Sequence, residues 1–287
     1  MTDLPLTHLT LPINGFRMHV VTAGAGKPLY LLHGYPQSWY MWRKLAPMLA
    51  RNYRLVMPDL RGYGDSEKPP HGYDKRTMAA DLRALAEALG DTRFALIGHD
   101  RGARVAHRYA LDHGDTLAAV AVLDILPTRT IFDTLNKDSA LSTWHWLFLP
   151  QVNLAERLIS AEPEAVLRHF FRDWCGELTA IEEAAVQEYL RVFRLPGTIR
   201  ATCMDYLAGS STDLEHDTAD EKARVQAPLL ALWGALSKLT KRDVLAAWKE
   251  KAVKVRGRAI EGSGHFIPEE QPEILARHLL EFLEAAY

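Results

Sequence analysis

The segment Phe94-Ala95-Leu96-Ile97-Gly98-His99-Asp100-Arg101-Gly102-Ala103-Arg104 constrains this chain more than any other. An apolar run leads into Gly-x-Asp-x-Gly and then into a helical pattern, so the segment reads as strand, tight turn and helix. Glycines flanking one polar residue let the backbone bend sharply and lift the middle side chain, Asp100, into the space at the carboxyl end of a parallel sheet. A carboxylate raised in this way suits displacement at an alkyl carbon rather than acyl transfer. The same Asp100 also fits a plainer role as N-cap of the following helix, because Asp is favoured there.

Elsewhere the chain alternates strand-like and helix-like stretches. Phe16 to Ala23 alternates apolar and polar residues, and Pro28 to Leu32 is a continuous apolar run that ends in His33-Gly34-Tyr35-Pro36. A loop there can aim a backbone N–H, that of Tyr35, at a developing oxyanion. Tyr53 to Asp59 reads as the next strand, and the loop after it holds Arg61 and Asp65, taken as scaffolding. Thr77 to Leu89 has helical spacing with Gly90 as its stop. Leu117 to Leu123 is another buried strand, with Asp124 at its carboxyl end. Between residues 126 and 222 the pattern becomes helical and aromatic, including Trp144-His145-Trp146, Phe170-Phe171, Trp174, Tyr189 and Tyr206. Strand character resumes at Pro228 to Gly234 and again at Val253 to Ile260, followed by His265 on a glycine-rich loop and a closing helix from about Pro272 to Ala285.

These alternations predict an α/β fold with a mostly parallel central sheet flanked by helices, whose ligands lie at the carboxyl ends of the strands. The expected organisation is a core in two parts, 1–125 and 223–287, with an inserted helical cap over 126–222 that excludes water and supplies the pocket. Asp100, Asp124 and His265 come in the chain order nucleophile, acid, histidine. No carboxylate follows Trp233 in Gly234-Ala235-Leu236-Ser237-Lys238, which favours Asp124 as the acid.

This pattern resembles the α/β-hydrolase superfamily along the whole chain. Asp at the elbow narrows the resemblance to haloalkane dehalogenases, epoxide hydrolases and haloacetate dehalogenases. The first two usually carry Trp after the nucleophile, whereas this chain has Arg101 there and Arg104 three residues on, on the same helix face. Two guanidiniums at a helix N-terminus can bind a carboxylate. His99-Asp100-Arg101-Gly102-Ala103-Arg104 is similar to the signature of fluoroacetate dehalogenases, and Trp144-His145-Trp146 and Asp205-Tyr206 resemble that family's halide-binding residues. Tyr35 stands where a Phe is common, and Leu236-Ser237-Lys238 replaces a more glycine-rich loop.

The resemblance implies that Asp100 attacks the α-carbon of a haloacetate whose carboxylate is held by Arg101 and Arg104. Halide leaves toward His145, Trp146 and Tyr206. Water activated by His265, oriented by Asp124, then hydrolyses the ester, with the N–H groups of Tyr35 and Arg101 holding the oxyanion. No metal or organic cofactor is implied. An epoxide hydrolase would use the same three residues with Tyr189 and Tyr206 as acids, and a non-catalytic carboxylate sensor is a further alternative.

Composition bounds the partners. A net charge of -2 over 287 residues offers no basic field for nucleic acid or a membrane surface, and the resemblance implies a small anionic 2-haloacid as the partner. Cys175 and Cys203 are too few for a disulfide framework, and the N-terminus lacks the form of a signal peptide, so the expected setting is cytoplasmic. A homodimer is the family-like expectation.

Overall fold

The computed structural model describes residues 4–177 and 180–287; Met1 to Asp3 of the N-terminal stretch read above lie outside them. One eight-stranded sheet organises them in the order β1-β2-β4-β3-β5-β6-β7-β8. The strands are β1 Thr7–Ile13, β2 Phe16–Ala23, β3 Lys27–Leu32, β4 Tyr53–Pro58, β5 Phe94–His99, β6 Leu117–Leu123, β7 Leu229–Gly234 and β8 Val255–Ile260. Only the β1–β2 and β2–β4 pairings are antiparallel; the other five are parallel.

Helices cover both faces. In chain order they are α1 Ala46–Leu49, α2 Lys75–Ala88 and α3 Arg101–Asp112, then eight between β6 and β7: α4 Thr128–Asp133, α5 Lys137–Ser142, α6 His145–Phe148, α7 Val152–Ala161, α8 Pro163–Trp174, α9 Glu183–Phe193, α10 Thr198–Gly209 and α11 Thr212–Ala219. The last three are α12 Val244–Lys251, α13 Ile267–Glu270 and α14 Pro272–Ala286. The aromatic stretch therefore folds without a strand among its described residues.

Burial explains which strands the pattern announces. β5 and β6 are buried along their whole length, which is why they read as unbroken apolar runs. Edge strand β1 is mostly exposed and carries Pro12, and its apolar pattern alone does not announce it. The better signal is Asn14-Gly15, where both residues take positive φ (44° and 84°) as a tight hairpin turn requires.

Topology then sets the site. β5 and β6 are neighbours at the centre of the sheet, so the residues just past them, Asp100 and Asp124, emerge side by side. Both are pinned by sheet-like hydrogen bonds: the Asp100 N–H donates to the Leu123 carbonyl at 3.2 Å and the Asp124 N–H to the Leu232 carbonyl at 2.8 Å. Both also take left-handed backbone angles, φ 47° and 51°, at an order-of-magnitude cost of ~1–3 kcal/mol each that the surrounding packing offsets. Such strain at a non-glycine residue clusters where function needs a fixed side-chain direction.

The elbow closes because its glycines allow backbone to touch backbone. A Cβ on Gly102 would lie 2.3 Å from the His33 carbonyl oxygen, and one on Gly98 would lie 2.5 Å from the Ala103 Cα. Gly102→Ala should therefore destabilise the protein by about 1–3 kcal/mol, the usual cost of overpacking. Urea unfolding would check this, and an unchanged midpoint would show that α3 can retreat from β3 without loss.

Candidate active site

Asp100, Asp124 and His265 converge. The Asp124 carboxylate lies 2.6 Å from the His265 Nδ1, and its other oxygen accepts the Gly234 N–H at 3.0 Å. The far nitrogen of His265, Nε2, is 3.8 Å from Asp100 Oδ2 and has no hydrogen-bond partner among the described residues. That separation leaves the imidazole facing the carboxylate without a direct bond. Asp100 Oδ1 instead accepts the Tyr35 N–H at 2.8 Å, so the loop after β3 reaches the position expected of an oxyanion donor. Arg101, whose N–H was the second expected donor, opens α3 directly after Asp100.

His99 packs beneath this group. Its Nε2 lies 2.8 Å from the His265 carbonyl, and its ring centroid is 4.6 Å from that of His265. Burial pushes its pKa down to about 3, so it is neutral and donates through Nε2, steadying the loop that carries the second histidine. His33 is likewise buried and neutral in character; its Nε2 accepts the Leu60 N–H at 3.0 Å.

Electrostatics acts in opposite directions on Asp100 and His265. Burial alone would raise the pKa of Asp100, but the positive charges of His265 and the two arginines outweigh it and hold the carboxyl below its ordinary range. His265 moves the other way: burial disfavours its cation, yet the hydrogen bond and charge of Asp124, with Asp100 behind, raise its pKa above the ordinary 6.5.

The two arginines, expected to hold a carboxylate together, differ in the partners they already have. Arg101 is wholly buried and paired with Asp205: its Nη2 donates to Asp205 Oδ1 at 2.6 Å and to the Asp205 carbonyl at 2.8 Å, and its Nε to Oδ2 at 3.1 Å, while its Nη1 has no hydrogen-bond partner among the described residues. Asp205 also receives the Tyr63 hydroxyl at 2.6 Å and the Lys75 ammonium. Burial would raise the Asp205 pKa, but Arg101 and Lys75 drive it well below the carboxylate range. An α10 carboxylate thus neutralises Arg101 before any ligand arrives. In sequence, Asp205 was visible only as the neighbour of Tyr206, because the residues that it meets lie 104 and 130 positions away.

Arg104 makes no ion pair with a carboxylate among the described residues. Its Nη1 donates to the Leu126 carbonyl at 3.1 Å and the Thr128 hydroxyl at 3.0 Å, both neutral, and its Nε has no hydrogen-bond partner among the described residues. Burial and the nearby Arg101 charge lower its pKa to about 10, which leaves it protonated at neutral pH. It lines a cavity with Asp100, Asp124, His265, His145 and Trp146, whereas Arg101 does not.

His145, Trp146 and Tyr206 gather above the elbow. Tyr206 sits 5.8 Å from His145 and 5.3 Å from Trp146 by ring centroid. The Tyr206 hydroxyl and His145 Nδ1 are buried with no hydrogen-bond partner among the described residues. Burial, then the charge of Lys238, drives His145 well below its ordinary pKa, so it is a neutral ring with one N–H to give. The Trp146 ring stands 4.5 Å from the Arg104 guanidinium and 5.0 Å from that of Arg101.

Tyr189 does not join them. Its hydroxyl bonds Glu269, which also pairs with Arg43 at 2.6 Å, so the tyrosine pair expected for epoxide protonation is not assembled. The loop residues read as scaffolding act as such: Arg61 bonds Asp81 at 2.7 and 2.8 Å, and Asp65 pairs with Arg191 at 2.7 Å. Cys203 is buried, Cys175 is half-buried, and neither is bridged.

The fold and the Asp100, Asp124 and His265 cluster define a hydrolase, and the chain belongs to the α/β-hydrolase family, whose model, described as the alpha/beta hydrolase fold, matches residues 27–272. Among curated relatives, the chain is 42% identical to a soluble epoxide hydrolase of Corynebacterium sp. (strain C12), covering 96% of this chain and 97% of the relative. It is 38% identical to a fluoroacetate dehalogenase of Burkholderia sp, covering 94% and 91%. The solved structure of the epoxide hydrolase CorEH without ligand superposes with a TM-score of 0.94 at 40% identity, covering 99% of this chain and 100% of that one. Among the described residues, no helix is long and apolar enough to cross a membrane.

Two outcomes follow from these charges. Asp124→Asn should lower the His265 pKa, since burial persists while its main compensation is lost; a histidine NMR titration reads this directly. A pKa raised on folding stabilises the native state below about pH 6.5, and that contribution fades as pH rises through the raised value, so the variant should lose stability mainly on the acid side. Asp205→Asn should cost about 3–5 kcal/mol by leaving Arg101 buried beside Lys75 without a counter-ion, measurable by thermal and urea unfolding.

Proposed function

We infer that the protein hydrolyses small 2-haloacids of the haloacetate class, releasing halide and the 2-hydroxyacid. The observation that carries this reading is Arg104, a buried guanidinium on the cavity wall that makes no ion pair with a carboxylate among the described residues. A buried charge without a partner is costly, and a substrate carboxylate supplies the missing partner while placing its α-carbon at Asp100.

The chemistry runs in two steps. Asp100 Oδ2 forms a bond to the α-carbon as the carbon–halogen bond breaks, and the halide leaves with both electrons. The Tyr206 O–H, an N–H of His145 and the Trp146 side chain are the groups that would receive it. Asp100 Oδ1, held by the Tyr35 N–H, becomes the ester carbonyl oxygen. Esterification removes the Asp100 charge, one of the causes that raise the His265 pKa, so the imidazole becomes a readier base. Its Nε2 takes a proton from water as the oxygen bonds to the Asp100 carbonyl carbon and the carbonyl electron pair moves to Oδ1. Collapse breaks the bond from that carbon to Oδ2, the departing alkoxide takes the proton of the new hydroxyl to become the 2-hydroxyacid, and Asp100 returns as a carboxylate while the imidazolium gives its proton to solvent. Asp124 keeps the ring oriented and stabilises the imidazolium.

A second reading is epoxide hydrolysis, supported by the unpartnered Tyr206 hydroxyl and His145 imidazole and by the Corynebacterium relative. It would use Tyr206 with His145 to protonate the epoxide oxygen, Tyr189 being engaged elsewhere.

The expected result is halide release from chloroacetate or fluoroacetate in equal amount to glycolate. Asp100→Asn should lower it by about 10⁴-fold or more, as loss of a nucleophile does. Arg104→Ala should reduce kcat/KM for the haloacid by roughly 10²-fold, since a charge-assisted carboxylate contact is lost. Diol formation from styrene oxide by an enzyme that releases no halide from any 2-haloacid overturns the dehalogenase reading.

A further inference from the structure

The loop after β7, Leu236-Ser237-Lys238, stands where an α/β-hydrolase acid could lie, yet it carries a cation at the cavity rim. The Lys238 ammonium donates to Asp173 Oδ2 of α8 at 2.5 Å and to the Ser142 carbonyl at the end of α5 at 2.7 Å. It also lies 5.9 Å from the centroid of the Trp174 ring. One side chain from the core thus ties down two separate segments of the helical stretch between β6 and β7. Each tied residue is close in sequence to a site residue: Trp174 follows Asp173, and His145 lies three positions after Ser142. The Trp174 ring is 4.6 Å from His145 and 5.2 Å from His265.

Both charged groups line the cavity that ends at Asp100 and Arg104, and both keep solvent contact, with side chains 30% and 41% exposed for Lys238 and Asp173. A partly exposed ion pair is weakly held, so an arriving anion can compete for the ammonium. A carboxylate arriving at the rim meets an ammonium that can exchange Asp173 for it, and a second cation, Arg104, deeper in.

We propose that Lys238 and Asp173 form a charged gate that determines specificity for small carboxylates: Lys238 draws the anion in, and Asp173 competes with it for the same ammonium. The gate rests on the haloacid reading above, and it goes beyond that reading by assigning selection to residues that make no contact with the reacting atoms.

Neutralising the two partners separates this from a mechanical clasp. If the pair merely holds the rim closed, Lys238→Met and Asp173→Asn both loosen it and act in the same direction. If it selects by charge, they act oppositely. With chloroacetate at low ionic strength, Lys238→Met should lower kcat/KM by about fivefold and Asp173→Asn should raise it by about threefold, with both differences shrinking near 0.5 M salt as rim charges are screened. Acetate affinity, followed by tryptophan fluorescence, should shift in the same two directions and needs no turnover. Shifts of the same sign, or none, overturn the gate. A wild type that binds acetate but releases no halide overturns the haloacid reading while the acetate affinities still decide the gate; one that neither binds acetate nor releases halide overturns both.

Discussion

The close approach of α3 to the end of β3 is the contact on which the site depends. With Gly98 and Gly102 lacking side chains, the first turn of α3 lies against the backbone of residues 32 and 33, and Asp100 is forced into a left-handed conformation that no helix or strand supplies. That conformation aims its carboxylate between the Tyr35 N–H and the His265 ring. The same packing buries Arg101 and Arg104 in the first turn of α3, so the elbow that raises Asp100 also loads its surroundings with positive charge.

Charge accounting then distinguishes groups that look alike. Arg101 and Arg104 are three residues apart on one helix, but α10 brings Asp205 to the first and only neutral oxygens meet the second. Lys75 and Tyr63 complete the shell around Asp205, which makes that carboxylate a structural anchor between α10, the first turn of α3 and the start of α2. The aromatic rings of Trp146 and Tyr206 flank the arginine pair. Burial chiefly lowers the pKa of His145, with the charge of Lys238 at the rim adding to it.

Much of the architecture was legible because buried parallel strands leave continuous apolar runs. β5, β6 and β7 are nearly solvent-free, and the chain spells them as Phe94 to His99, Leu117 to Leu123 and Leu229 to Gly234. β1 was harder to see because half of an exposed edge strand is polar and its partner lies across a two-residue turn. His99 illustrates a subtler limit: its place at the elbow was plain, but its bond to the His265 carbonyl joins residues 166 positions apart.

By itself, the sequence determined the strand–turn–helix elbow, the order of Asp100, Asp124 and His265, and the segments that feed each of them, because these depend on local periodicity and on glycines that permit one tight bend. Tertiary structure alone decided that Arg101 is consumed by Asp205, that Tyr189 belongs to Glu269 and Arg43, and that Lys238 reaches across to Asp173 and Ser142. The physical reason is that charge pairing acts through space. Which carboxylate a buried guanidinium or ammonium meets is set by how distant helices pack, and local sequence carries no record of that distance.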